Sequence, residues 1–86
     1  MNAEERTAFI RKTMLQALAD CGPYSLVETT FISQLNVSIV PPLTRQEFEA
    51  ELRWLESNRF VVGVHGDLGG PAKWKITPDG KAVLAS

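Results

Sequence analysis

"RFVVGVHGDLGGPAKWKIT", residues 59–77, sets two strand-forming runs either side of a glycine-rich interruption. Arg59 to His65 is rich in valine and phenylalanine, and Ala72 to Thr77 alternates in a period of two. That period places Trp74 and Ile76 on one face of a strand and Lys73 and Lys75 on the other. Between the two runs, Gly66–Pro71 holds three glycines and a proline. Glycines that cradle a phosphate follow a strand and open a helix, so that backbone N–H groups and the helix dipole converge on the anion. Here a second strand follows, and a turn that needs positive φ accounts for the glycines without a ligand. The stretch is a β-hairpin.

Upstream of it, Thr44 with Glu47 three residues on forms a capping box that opens a helix. Phe48, Leu52 and Leu55 mark its apolar stripe, with Trp54 broadening it, and Asn58, which tolerates the left-handed conformation, ends it. Ser38–Pro42 is a connector, since neither Pro41 nor Pro42 fits a helix interior. From Ser25 to about Leu35, Leu26, Phe31, Ile32 and Leu35 are compatible with a helix, while Val27, Thr29 and Thr30 leave a strand open. Ala3 to about Asp20 repeats Ile10, Met14, Ala17, Leu18 and Cys21 at helical steps, and Gly22-Pro23 stops that first helix. Downstream, Thr77-Pro78 reads as an N-cap and first helical residue. A short last helix follows, its apolar part Ala82, Val83 and Leu84, and Gly80 weakens it. Trp54 and Trp74 are expected in the core between the third helix and the hairpin; an exposed tryptophan there would point to an interface.

With 86 residues, the chain suits one domain, 1–86, with a single core. Its 44% hydrophobic and 22% charged residues are those of a globular protein. The charged N-terminus MNAEERTAFIRK lacks the apolar core of a signal peptide, and no run approaches a membrane span, so a cytoplasmic location without membrane contact is expected. Cys21 stands alone, which fits a reducing compartment and reads as a small apolar residue. The lone His65 reads as a surface residue. No metal set, nucleophile–base pair or nucleotide fingerprint is present, so neither an enzyme nor a cofactor is expected. Net charge is -1, and only its distribution speaks to partners: residues 44–58 sum to -2 and residues 59–86 to +2.

Two stretches carry a family likeness. "LTRQEFEAELRWLESNRFVVGV" resembles the third helix and first wing strand of the winged helix-turn-helix superfamily. "KWKITPDGKAVL" resembles the second wing strand and the Leu/Ile-Thr-x-x-Gly-x-x-x-Leu ending of bacterial winged-helix regulators of the MarR and PadR kind. Together they span about half the chain. The resemblance implies an α+β, mainly α fold: a three-helix core, a two-stranded β-hairpin wing and a short C-terminal helix. It also implies that the third helix enters a DNA major groove while the wing reaches the backbone.

Carried over by position, Arg45, Gln46 and Arg53 lie on the outward face of the third helix, and Lys73 and Lys75 line the wing with Arg59 in reach. Each has a plainer reading: a polar first turn is normal for solvation, and lysines on a hairpin also deter edge pairing. Glu49 and Glu56 share the outward helix face and repel phosphates. Two functions are therefore set side by side. The first is a small transcription regulator binding double-stranded DNA, as a homodimer on a palindromic site. The alternative is a protein–protein interaction module using the acidic third helix and the apolar segment Phe31 to Val40. Convergence of Arg45, Arg53, Lys73 and Lys75 on one face, with the glutamates turned away, favours DNA, and scatter of those cations favours association.

Overall fold

The computed structural model describes residues 2–65, 68 and 72–86. Its element order is α1 (Ala3–Asp20), β1 (Leu26–Val27), α2 (Glu28–Ser38), α3 (Arg45–Ser57), β2 (Val61–Val64), β3 (Lys73–Ile76) and α4 (Pro78–Ala85). The glycine-rich turn read at Gly66–Pro71 lies, Leu68 apart, outside the described residues. The helices and hairpin strands match the sequence reading. The segment left open between helix and strand is both in turn: Leu26 and Val27 pair with β3, and the helix begins at Glu28.

The sheet is antiparallel with order β1-β3-β2. The expected two-stranded hairpin therefore gains a third strand, and β3 becomes central. Leu26 lies opposite Trp74, and across β2 the pairs are Val61–Ile76, Val62–Lys75, Gly63–Trp74 and Val64–Lys73. Alternation turns Trp74, Ile76, Val61 and Leu26 inward, where all are buried. They meet Ile10, Met14, Leu15 and Leu18 of α1, Phe31 and Leu35 of α2, and Phe48, Leu52 and Leu55 of α3 in one core. Phe31 and Phe48 close it edge to face, ring centroids 5.4 Å apart. The connector is pinned where the Leu43 N–H donates to the side-chain oxygen of Asn36 at 2.8 Å. Ile39 and Leu43 thereby reach the core as well.

The helix ends show how local chemistry and packing divide the work. Thr44 caps α3 by accepting from the Glu47 N–H at 3.1 Å. The reciprocal half of the expected capping box is replaced: the Glu47 carboxylate takes two hydrogen bonds from Arg6 of α1, each at 3.0 Å. At the other end, Asn58 keeps a right-handed φ of -90, and Arg59 takes the left-handed position at φ 64. The reason is a Schellman closure, in which the Phe60 N–H donates to the Leu55 carbonyl and the Arg59 N–H to that of Glu56. Phe60 then packs on Trp54, ring centroids 6.1 Å apart, as the apolar contact of that motif.

Thr77 caps α4 as expected, accepting from the Gly80 N–H at 3.0 Å. Gly80 itself is not a weakness. It is buried, and a Cβ placed there would meet the Phe60 carbonyl oxygen and come within 2.7 Å of Ile76 Cγ1. The missing side chain lets α4 sit against the turn into β2.

Three outcomes follow from these contacts. Gly80→Ala gains about 1 kcal/mol of helix propensity, but the clash is with backbone. A clash that only backbone movement can relieve lies at the upper end of the overpacking cost of about 1–3 kcal/mol, so urea denaturation should show a net loss of about 1–2 kcal/mol. Arg59→Gly relieves a left-handed residue whose strain is about 1–2 kcal/mol and should raise stability by ~0.5–1 kcal/mol after the entropy of the freer unfolded chain. Arg6 holds the Glu47 carboxyl below its ordinary value near 4.5, chiefly by hydrogen bonding. A depressed pKa contributes stability above the ordinary value and loses it as pH falls through the folded value. The stability advantage of the native chain over Glu47→Gln should therefore be full at neutral pH and shrink steadily below pH ~4.5, as read by denaturation across pH.

Candidate nucleic-acid interface

The rotation of α3 about its axis is set by Phe48, Leu52 and Leu55, which are 0%, 2% and 0% exposed. At about 100° per residue, the opposite side carries Gln46, Ala50, Arg53 and Ser57, and all four are exposed. That outermost stripe contains no carboxylate. The four glutamates of α3 lie on its flanks instead.

On the flank toward α1, Glu47 pairs with Arg6 at 3.0 Å and Glu51 with Arg11 at 2.7 Å. Arg11 also stacks on Trp54, its guanidinium carbon 3.6 Å from the ring centroid. Trp54 is thus held at the helix edge, 40% exposed. The expectation that it would be core is corrected: position 54 lies about 100° from Leu55, and its face is covered by an arginine. Trp74, at 8% exposure, is core.

The flank toward the wing carries Arg45, Glu49 and Glu56. Arg45 is committed: its guanidinium donates to Glu28 of α2 at 3.0 Å and to Glu49 at 3.2 Å. Glu28 in turn accepts from the Trp74 indole N–H at 3.1 Å. One carboxylate therefore ties the first residue of α2 to the start of α3 and to the central strand. Arg53 shares a cleft with Glu49 and Glu56 of its own helix and with His65 and Ala72 of the wing. It forms no ion pair with any described residue.

On the outer face of the sheet, Lys73 is exposed and Lys75 half-buried. They stand across from Val64 and Val62 respectively. β3 is central, but β1 covers it only at Trp74 and Lys73, so Lys73 is flanked on both sides and guards no edge, whereas Lys75 pairs with β2 alone. Arg59 lies at the far end of the hairpin, where its carbonyl accepts from the Thr77 hydroxyl at 2.7 Å. In the observed register it falls beyond the last pair, Val61–Ile76, while Lys73 falls at the opposite end. The structure brings Lys73 and Lys75 onto one face and Gln46 and Arg53 onto another, and separates Arg59 from the lysines.

The charge geometry is therefore divided. Glu47 and Glu51 turn away to α1, whereas Glu49 and Glu56 stay beside Arg45 and Arg53. The alternative contact surface fares worse, since Phe31, Leu35 and Ile39 are 0%, 0% and 1% exposed and belong to the core. Only Val37 and Val40 of that segment stand out, at 84% and 83%. Sequence reading missed Glu28, Arg6 and Arg11, whose partners lie 17 to 46 residues away. Ala50 and Ser57 were reachable by extending the helical period from Gln46 and Arg53.

Among the described residues, no helix is long and apolar enough to cross a membrane. No group of three or more His, Cys, Asp or Glu among them could hold a metal ion.

No protein-family model matches the sequence, and no curated protein does. Among solved structures, the chain is similar to the X-ray structure of a PadR-like transcription factor from Bacteroides fragilis. The TM-score is 0.73 and the identity 16%, over 96% of this chain and 80% of that one. Four helices, a small antiparallel sheet and this likeness together establish the architecture: the chain has a mainly helical, winged-helix α+β fold.

Proposed function

We propose that residues 1–86 act as one double-stranded-DNA-binding domain of a cytoplasmic transcription regulator, with α3 in the major groove and the wing against the backbone. The observation that carries this reading is the carboxylate-free outer stripe of α3, on a fold shared with a PadR-like transcription factor. A helix in the groove presents its outermost side chains to base edges, and that side is polar and small here. Lys73 and Lys75 supply phosphate contacts, which position the protein without reading sequence. Arg45 stands near the groove but already neutralised, and Arg59 is a backbone contact at the base of the wing at most. With so few free cations and a net charge of -1, one copy binds weakly. Two copies on a palindromic site double the contacts, so a homodimer is the form that achieves specificity.

Fluorescence anisotropy of a labelled random-sequence duplex, titrated with the whole chain at several salt concentrations, tests this. Binding should be measurable at low salt and weaken as salt rises. The double substitution Lys73→Ala, Lys75→Ala should lower the low-salt affinity about tenfold. It should also reduce the slope of log K against log salt by about 2, close to 0.9 per lost phosphate contact. Absence of any anisotropy change at ~100 μM protein and low salt would remove the DNA reading.

A further inference from the structure

Granted the DNA-binding reading, on which this inference rests, the outer stripe of α3 goes further and specifies what is read. We propose that Gln46 and Arg53 are the base-reading pair, and that they select an adenine and a guanine about three base pairs apart.

The residues are chosen by elimination on the surface of one helix. The long polar side chains on the outer stripe of α3 and its wing-side flank are Arg45, Gln46, Glu49, Arg53 and Glu56, and Glu49 is held by Arg45 at 3.2 Å. Arg45 is bound to Glu28 and Glu49 at once, so using it on DNA means breaking both ion pairs. Glu56 is an exposed carboxylate on the wing-side flank, about 80° from Gln46 around the helix. Gln46 and Arg53 remain, seven residues apart and therefore about 20° from one another in projection. Both are exposed, and Arg53 pairs with no described acid. Between them stands Ala50, whose methyl group keeps the helix surface low and lets it approach the groove floor.

Geometry sets the spacing. Seven residues at 1.5 Å rise separate the two side chains by about 10.5 Å along α3. Base pairs stack at about 3.4 Å, so a helix lying along the groove spans about three steps between the two contacts. Chemistry sets the bases. A glutamine amide offers one donor and one acceptor, which match N7 and the N6 amino group of adenine. An arginine offers two parallel donors, which match O6 and N7 of guanine.

The test is selection of bound duplexes from a fully random pool by the whole chain, followed by sequencing, for the native protein and three variants. The native chain should enrich an adenine and a guanine three base pairs apart, each preferred roughly tenfold over other bases. Arg53→Ala should erase the guanine preference and keep the adenine, and Gln46→Ala should do the reverse. Arg45→Ala should keep both. All three sites are exposed, and circular dichroism checks that each variant is folded. Retention of DNA with no such pair, or with preferences that Arg45→Ala alone abolishes, overturns the inference and leaves DNA binding standing. Retention of no DNA at low salt overturns the DNA reading itself.

Discussion

The burial of Phe48, Leu52 and Leu55 is the constraint from which the surface of this protein follows. Each buried side chain of that size contributes about 1.5–3 kcal/mol, whereas an exposed ion pair contributes about 0.2–1 kcal/mol. The rotation of α3 is therefore decided by its apolar stripe, and the charges settle wherever that rotation leaves them. Gln46, Ala50, Arg53 and Ser57 are outermost because they lie opposite the stripe.

What α1 adds is a sorting of charge. Arg6 and Arg11 are on the helix against which α3 packs, and they take Glu47 and Glu51 out of contention as acids on the outer surface. A helix whose summed charge is acidic thus shows a neutral-to-basic crest. On its other flank, Glu28 does a different job by joining the Trp74 indole, at the centre of the sheet, to Arg45 at the start of α3. The orientation of the wing relative to α3 is held by that carboxylate as well as by the shared core.

Much of this architecture was legible in the sequence because it rests on periodicity and local capping. The alternation at Lys73–Ile76 names the inward faces of β3, and Thr44 and Thr77 cap the helices they were expected to cap. The misreadings share a different cause. Asn58 was the better left-handed residue on intrinsic grounds, but the Schellman closure falls one residue later, on Arg59. Gly80 looked like a poor helix residue until the Phe60 carbonyl was seen to occupy the space of its Cβ.

Hydrophobic period and turn chemistry act over a few residues, and they fix the helices, the hairpin strands, their order and the sides of α3 and β3 that turn inward. Long-range packing sets the rest: that Leu26 and Val27 add a strand, that β3 is central, and which arginine neutralises which glutamate. Those outcomes depend on partners separated by as many as 46 residues along the chain, as Glu28 and Trp74 are. No local pattern encodes which distant side chain will arrive within hydrogen-bonding distance once the core has closed.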